Sequence, residues 1–351
     1  MSPARPFRPA LAPSLAALAF ATSAGAAAAA PLYQVTDLGE HIAYAINQAG
    51  DVAGGGYPGP FLYSQGKVTL LGSLGGPNGL AFALNDTRTV VGMSETKKGI
   101  GDAFVFAGDG PMADLGATAG SGLASEAHGV NNHGVVVGIT TPAQGGLPHA
   151  FIAQHGQMQM LATPAGALDS ALQAVNAKGQ AVGFADYPFA GGSNYAAHAM
   201  LYANGKWKRL GSLSPSARAT SYAAAINDAG QVAGSSNIAE PFGRSHAFLW
   251  TQGTMQDLGT LGDPATDYSL GIGLNNLGQV VGESVVASQA RAFLCDGTQI
   301  VDLSTCLDAS GQGWTLQVAW GINDAGQIVG EGTSTPGGPA HGFLLTPVAA
   351  R

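Results

Sequence analysis

Short apolar, β-branched runs alternate with turn sequences along residues 33–348. One ten-residue phrase, with an Asn-x-x-Gly turn or its variant between two apolar runs, occurs seven times. Its copies are AINQAGDVAG at 45–54, ALNDTRTVVG at 83–92, GVNNHGVVVG at 129–138, AVNAKGQAVG at 174–183, AINDAGQVAG at 225–234, GLNNLGQVVG at 273–282 and GINDAGQIVG at 321–330. Asn accepts a backbone hydrogen bond at the start of a tight turn and Gly adopts positive φ at its end, so each phrase predicts a β-hairpin.

A second apolar phrase follows each copy of the first. Its copies begin at residues 60, 103, 150, 199, 247, 292 and 342. All but the last contain a turn pair: Gln65-Gly66, Asp109-Gly110, His155-Gly156, Asn204-Gly205, Gln252-Gly253 and Asp296-Gly297. Because such pairs, Asn-Gly and Asp-Gly above all, favour two-residue hairpin turns, each repeat is expected to supply four strands.

The spacing of the repeats indicates the fold class. The anchoring asparagines, separated by 38, 46, 45, 51, 48 and 48 residues, are Asn47, Asn85, Asn131, Asn176, Asn227, Asn275 and Asn323. Four short strands every ~45 residues are typical of a propeller blade. The sequence therefore predicts an all-β, seven-bladed β-propeller of four-stranded antiparallel blades. The alternative is a parallel β-solenoid, which usually has shorter coils and no antiparallel turns.

The two ends of the repeat region complement each other. The last repeat ends after its third strand, at residues 342–348, whereas YQVTDLG at 33–39 matches the fourth-strand text MQDLG at 255–259. We expect the N-terminal strand to complete the last blade and close the ring, because closure removes exposed sheet edges.

Residues 1–30 differ from the repeats. A basic start, an apolar stretch over 10–21 and the small residues of 24–30 are typical of a secretory signal peptide; a disordered Ala/Pro-rich tail is the alternative. The apolar stretch is too short to span a bilayer. The expected organisation is a signal peptide at 1–30 and a single propeller domain at 31–351. The expected location is secreted, or periplasmic or extracellular, after cleavage near residue 30.

Composition narrows the function classes. Only 10% of residues are charged, and loss of Arg5 and Arg8 with the signal changes the formal net charge from −8 to −10. An acidic protein is a poor partner for nucleic acid. The spacing of Cys295 and Cys306 leaves open whether they form a disulfide. We expect a monomer with no membrane span and no cofactor. No metal is expected either, because the Asn-Asp-x-Gly turns lack the dense oxygen ligands of an EF-hand.

The start of the second phrase suggests a family. It reads His-Ala-Phe at 149–151 and 246–248, His-Ala-Met at 198–200, and has looser forms beginning at Asp102, Arg291 and His341. With the GxNxxGxxVG and DLGTLG phrases, this text resembles the extracellular HAF-repeat family over roughly residues 33–348. The resemblance implies export and a repeat fold, and no established activity that can be assigned to a residue.

The connections indicate where ligands would bind. Tight turns within the hairpins fall on one face of the ring, whereas longer and variable connections, such as 235–245 and 259–269, fall on the other. Variable loops on a rigid scaffold usually carry binding, so we expect function on that face and at the mouth of the central channel. Candidate ligand-face aromatics are Tyr187, Tyr195, Tyr222, Phe242 and Tyr268, which could stack on sugar rings or pack the loops onto the rim.

The repeated histidines are expected to be structural. Pairing of Phe248 with Asp257 across a hairpin would place His246 diagonal to that carboxylate. Counterpart pairs are Arg291–Asp302 and His341–Asp37, whereas Met160 and Arg209 occupy the Asp position elsewhere. Equivalent positions are spread around a ring, so one shared metal site is not expected.

Two functions remain open. The first is an exported, non-catalytic binding or surface-interaction module for a glycan or protein, with no carboxylate or histidine cluster at the channel mouth. The alternative is a hydrolase or lyase acting on an extracellular glycan or lactone, with two or three acids or histidines from different blades within ~6 Å of one pocket. Acidic residues in the variable connections are Glu95, Glu126, Asp169, Asp186, Glu240, Asp263, Asp267, Glu283 and Glu331. Motifs of serine hydrolases, zincins and phosphate loops are absent.

Overall fold

The computed structural model describes residues 32–108, 110–116, 123–142, 146–189, 195–239 and 244–348. The expected signal peptide at 1–30 lies outside the described residues. Within them the chain forms 28 β-strands, with short 3-10 turns at Leu303–Cys306 and Ala309–Gly311. No helix in this part of the chain is long and apolar enough to cross a membrane.

The strands form seven four-stranded antiparallel units, named blades 1 to 7 in chain order; a single bridge also joins blades 1 and 2. Blade 1 consists of β2 (His41–Ile46), β3 (Val52–Gly56), β4 (Phe61–Ser64) and β5 (Lys67–Leu70). Blade 2 consists of β6 (Gly75–Leu84), β7 (Thr89–Thr96), β8 (Gly101–Ala107) and β9 (Ala113–Asp114). Blade 3 consists of β10 (Leu123–Val130), β11 (Val136–Pro142), β12 (His149–Gln154) and β13 (Gln157–Met160). The predicted blade architecture is confirmed.

Blades 4 to 7 repeat the same order of strands. They consist of β14 (Ala171–Val175), β15 (Ala181–Pro188), β16 (Tyr195–Ala203) and β17 (Lys206–Gly211); β18 (Ser221–Ile226), β19 (Val232–Asn237), β20 (Ser245–Thr251) and β21 (Thr254–Asp257); β22 (Tyr268–Leu274), β23 (Val280–Val286), β24 (Gln289–Cys295) and β25 (Ile300–Asp302); and β26 (Thr315–Ile322), β27 (Ile328–Thr333), β28 (His341–Pro347) and β1 (Tyr33–Asp37).

The N-terminal strand completes blade 7, as the sequence predicts. β1 pairs antiparallel with β28 from Tyr33 opposite Pro347 to Asp37 opposite Phe343. The Tyr33 side chain is buried in the core between blades 6 and 7. The ring is therefore closed by a strand that is remote in sequence from the rest of its blade.

Each blade has a buried anchor on its third strand. The side chains at this position are almost completely buried, and they are Phe61, Phe104, Phe151, Met200, Phe248, Phe293 and Phe343. Burial of one such side chain contributes about 2 kcal/mol. The anchor packs on the glycine that ends each Val-Gly or Ala-Gly pair: a Cβ on Gly234 would lie 2.8 Å from Phe248 and 1.9 Å from the Tyr222 carbonyl oxygen.

That close carbonyl belongs to a β-bulge that recurs in every blade. The register between the first and second strands shifts by one residue at the same place each time. The extra residue stands three positions before each anchoring asparagine. We call these seven residues the bulge ring: Tyr44, Phe82, His128, Gln173, Ala224, Ile272 and Trp320. A bulge redirects a side chain out of the normal alternation, and all seven line the central channel.

The anchoring asparagines form a second circle, the asparagine ring. The Nδ2 of each donates to the backbone carbonyl of the next one around the axis, at 2.9–3.3 Å. The series closes when Asn323 donates to Asn47 at 3.0 Å. Each Oδ1 also accepts backbone N–H groups of its own turn, as Asn275 does from Leu277 and Gln279.

The connections on the opposite face differ in length. Residues 238–244 separate the second and third strands of blade 5, whereas Ala287 and Ser288 alone separate them in blade 6. The expectation that this face carries the longer connections is thus wrong for blade 6, where a two-residue turn with positive φ replaces the loop. Variation between blades is nevertheless confirmed.

Both cysteines are buried free thiols, so the disulfide alternative is not realised. Cys295 packs in the core between blades 5 and 6, and Cys306 in the core between blades 6 and 7. Burial raises the pKa of both thiols. A buried thiol with a raised pKa is a poor nucleophile at neutral pH, so both residues serve as core packing.

Candidate functional site

The central channel contains a cavity that residues of all seven blades line. The first strand of each blade runs along the axis, and the space between them has a volume of about 820 Å³. This cavity lies at the level of the bulge ring, on the side of the asparagine ring that faces the variable connections. A polar cavity of about 210 Å³ lies at the level of the asparagines themselves.

Four consecutive members of the bulge ring carry aromatic side chains. Ring centroids are 5.3 Å apart between Trp320 and Tyr44, 5.8 Å between Tyr44 and Phe82, and 5.4 Å between Phe82 and His128, each pair edge to face. We call this set, from blades 7, 1, 2 and 3, the aromatic arc. Edge-to-face packing holds the rings rigidly and adds stability beyond area burial. The other bulge positions hold Gln173, Ala224 and Ile272, so one side of the channel is aromatic.

Blade 3 adds a hydrogen-bonded histidine–glutamate pair to the arc. Nε2 of His128 lies 3.0 Å from Oε2 of Glu126, two residues earlier on β10. This hydrogen bond, which outweighs burial, lowers the pKa of Glu126. Nδ1 of His128 is buried and has no hydrogen-bond partner among the described residues. If Nε2 carries the proton that Glu126 accepts, Nδ1 is left as a free acceptor beside the cavity.

Blades 6 and 7 contribute two carboxyls at equivalent positions. Glu283 and Glu331 directly follow the Val-Gly pairs of β23 and β27, and both are half-buried. Burial, and then the charge of Glu331, raise the pKa of Glu283. Burial also raises the pKa of Glu331. The pKa of Tyr44 rises through burial and the nearby Glu331 charge. Tyr44, Trp320 and Glu283 line the cavity, and Glu331 lies on the adjoining strand β27.

Blade 4 carries a second acidic pair, which acts on the cavity-lining Tyr222. The backbone N–H of Asp186 donates to Oδ1 of the buried Asp169 at 3.1 Å. Burial and the Asp169 carboxyl raise the pKa of Asp186 to about 6. Tyr222, whose ring lies 5.2 Å from that of Phe184, has its pKa raised by burial and by these acids.

Of the five aromatics predicted from sequence, Tyr222 lines the cavity. Tyr187 lies under the Arg209 guanidinium, 3.6 Å from its ring centroid, and so packs the rim. Tyr195 begins β16 and is 57% exposed, and Tyr268 is half-buried at the start of β22. Phe242, like Glu240, lies outside the described residues. Ligand contact by any of the five remains a prediction.

Sequence reasoning missed the bulge ring. A strand normally alternates its side chains between two faces, and an unrecognised bulge inverts that alternation for every residue before it. A signal is nevertheless present, because one variable residue stands between small ones before most anchoring asparagines, as in Ala-Tyr-Ala at 43–45 and Ala-Trp-Gly at 319–321.

The carboxyls were also misplaced. The sequence places Glu95, Glu126, Asp186, Glu283 and Glu331 in variable connections, but they lie on strands β7, β10, β15, β23 and β27. Glu126, His128 and Glu283, from blades 3 and 6, line one cavity. The absence of a carboxylate or histidine cluster, expected of a binding module, and the cluster expected of an enzyme both remain predictions for this cavity.

The predicted histidine–aspartate contacts are present away from the channel. Nδ1 of His246 lies 2.9 Å from the Asp257 carboxylate, and His341 lies at the same distance from Asp37. Arg291 donates to Asp302 at 3.0 Å. These pairs tie third to fourth strands in separate blades, which confirms the structural interpretation. Among the described residues, no three His, Cys, Asp or Glu side chains are arranged to hold a metal ion.

No protein-family model matches the chain. No curated protein matches it either. Solved structures do: the β-propeller domain of the Trilobed protease from Pyrococcus furiosus, which has an open velcro topology, is 8% identical, with a TM-score of 0.52 over 90% of this chain and 93% of that one.

Two larger proteins also contain a similar ring. A puromycin-hydrolysing peptidase from Mycobacterium tuberculosis is 13% identical, with a TM-score of 0.53 over 86% of this chain and 49% of that one. The extracellular domain of a putative hybrid two-component system from B. thetaiotaomicron is 10% identical, with a TM-score of 0.51 over 91% and 40%. The chain spans half or less of these two proteins. At such identities the similarity establishes a β-propeller fold and nothing finer.

Proposed function

We propose that this protein is an exported binding module that takes its ligand into the central channel from the face with the variable connections. The observation that carries the proposal is the aromatic arc, in which four blades in succession place a ring at a redirected position lining one cavity. A bulge needs no particular side chain, so the fold alone does not call for aromatic residues there.

The cavity suits a small molecule or the end of a chain. Its volume of about 820 Å³ lies within the range of ligand pockets, about 300–1,000 Å³. Apolar walls with a few polar groups, here Glu126, His128 and Glu283, are the usual composition of such pockets. Among the ligands expected from the sequence, a glycan or a protein segment would have to present one narrow group to fit this space.

The location rests on the sequence. The signal-like segment at 1–30 and the resemblance of the repeats to the extracellular HAF-repeat family both favour a protein that acts outside the cytoplasm, secreted or periplasmic. Nucleic acid remains an unsuitable partner, because the channel presents carboxyls and the chain is acidic overall. We propose that it acts as a monomer with one ligand site per ring.

Catalysis is the second candidate, and one observation favours it. Within one cavity the pKa of Glu126 is lowered by its bond to His128, whereas burial and a neighbouring charge raise the pKa of Glu283. Opposite shifts in two carboxyls are the pattern of a base and an acid in glycan-cleaving enzymes. This candidate is a hydrolase or lyase acting on an extracellular glycan or lactone.

A screen with a blocked channel tests the proposal. The purified protein is applied to a glycan array and a small-molecule panel, beside an Ala224→Trp variant that fills the channel and a Thr254→Trp control on exposed strand β21. We expect ligand capture by the protein and the control, and loss of capture by Ala224→Trp. Capture that survives the block contradicts the channel assignment. Release of a cleaved product from the captured ligand would favour the enzyme.

A further inference from the structure

We infer that the ligand of the channel is an organic cation, an amine or quaternary ammonium group held where blades 6, 7 and 1 meet. The site is formed by the rings of Tyr44 and Trp320 and the carboxylate of Glu283, which line the cavity, together with the charge of Glu331 on the adjoining strand β27. This inference rests on the proposed function and deepens it, because it names the chemical class that the cavity takes.

The first support is uncompensated negative charge. Neither Glu283 nor Glu331 forms an ion pair with any described residue. None of the described residues lining the cavity is Lys or Arg. Partly buried carboxylates without a counter-charge are costly to keep in a fold. A bound cation would supply that missing charge, whereas a neutral sugar would leave the repulsion between the two carboxyls in place.

The second support is the position of the aromatic rings. Tyr44 and Trp320 meet at 67° with centroids 5.3 Å apart, so their planes form a corner. Glu331 stands on β27, which pairs with β26, the strand of Trp320, and packs against β2, the strand of Tyr44. Aromatic faces attract cations through the ring quadrupole, and Trp does so most strongly. Rings and carboxyl thus attract the same sign of charge.

A metal ion fits these residues less well than an organic cation. Calcium and magnesium require about six oxygen ligands, but this corner offers two carboxyls and two aromatic walls. No group of three or more metal-ligating side chains occurs in the described part of the chain. A methylated or primary ammonium group, by contrast, places C–H or N–H against the rings and its charge beside the carboxyls.

Choline and its neutral isostere 3,3-dimethyl-1-butanol provide the test, because they differ by N⁺ against carbon within the same shape. Isothermal titration calorimetry is performed on the protein and on Glu283→Gln, Glu331→Gln and Glu40→Gln. Glu40 is exposed in the connection between β1 and β2, so its substitution removes an equal charge outside the cavity. We expect choline to bind at least about tenfold more tightly than the alcohol, consistent with cation–π and charge contributions.

The variants should distinguish the effect of the two site carboxyls on choline binding from the effect of the protein's overall charge. Glu283→Gln and Glu331→Gln should each weaken choline binding about tenfold and leave the alcohol unaffected, and Glu40→Gln should change neither. Equal binding of the two probes, or no binding of choline, overturns the inference. If a neutral glycan is captured and Ala224→Trp blocks it, the ligand class fails while the proposed function stands. If choline binds and Ala224→Trp does not block it, the channel assignment fails.

Discussion

The two levels of the central channel are built from neighbouring residues of the same seven repeats, yet they differ in kind. At one level the same side chain, asparagine, occurs in all seven blades and closes a ring of hydrogen bonds. Three residues earlier the bulge positions hold seven different residue types: Tyr44, Phe82, His128, Gln173, Ala224, Ile272 and Trp320.

The difference separates structure from ligand recognition. A closed ring of hydrogen bonds requires the same donor and acceptor at every step, so any substitution breaks it. A ligand without sevenfold symmetry requires different side chains around it. The asparagine ring is therefore required by the fold, whereas the side chains of the bulge ring can vary to suit a ligand.

Removing the closing strand should have the largest effect. A protein lacking residues 31–39 loses β1 and exposes the edge of β28, along with the site of the buried Tyr33. We expect aggregation or loss of cooperative unfolding, because an open, apolar edge pairs with other chains. Calorimetry and light scattering measure both. A melting transition like that of the intact protein would contradict closure of the ring.

The two rings can be compared within blade 6. Asn275→Ala should destabilise the protein by about 2–4 kcal/mol, because it removes one bond between blades and leaves buried N–H groups unpaired. Ile272→Ala, three residues earlier in the bulge ring, should cost less than about 1 kcal/mol. Urea unfolding with an unchanged m-value measures both. Equal costs would mean that the bulge ring is also a requirement of the fold.

The outer histidine–aspartate pairs should contribute less to the stability of the fold than the asparagine ring, and their contribution should depend on pH. The hydrogen bond that His246 donates to Asp257 raises the pKa of His246 above 6.5. The stabilisation by this pair is therefore present below pH 6.5 and is lost as pH rises through the folded pKa. Burial tends to raise the pKa of Asp257, but hydrogen bonds from His246 and Gly259 lower it below 3.8, so its contribution is lost only in acid.

Asp257→Asn should therefore lower the melting temperature by a few degrees at pH 5.5 and by less at pH 9. The matched control is Asp302→Asn in blade 6, where the partner of the carboxylate is an arginine, Arg291, instead of a histidine. Its loss should be similar at the two pH values. A loss for Asp257→Asn that did not vary with pH would show that His246 carries no charge in the folded protein.

The smallest expected effect is a gain in stability. A carboxyl whose folded pKa is raised destabilises the fold above its unfolded pKa, and protonation relieves this as pH falls through the folded value. Glu331→Gln should thus raise the melting temperature slightly at pH 7.5 and leave it unchanged at pH 3.5. A lower melting temperature at pH 7.5 would place Glu331 among the residues that hold the ring together.

Much of the fold could be predicted from sequence because the same local structural requirements occur in each of the seven repeats. The turn chemistry of Asn47 and its six equivalents, the Gly at the end of each phrase and the displaced strand at Tyr33 each follow from local rules that act seven times. The pairing of Phe248 with Asp257 followed from one two-residue turn.

The site could not be predicted in the same way. Tyr44 and Trp320 point into the channel because one extra residue inverts strand alternation, and a propensity argument contains no term for that register shift. The positions of Glu283 and Glu331 relative to the channel depend on how blades 6 and 7 pack. Because loops commonly bind ligands, the sequence favours aromatics in long connections, such as Tyr195, but the bulge positions lie within strands.

The most direct test of the central claim is a crystal structure of the protein with the ligand that the screen selects. The account predicts ligand density within the channel cavity, in contact with the aromatic arc and on the variable side of the asparagine ring. Density on the outer strands or at the asparagine end, with an empty space between Tyr44, Trp320 and Glu283, would contradict it.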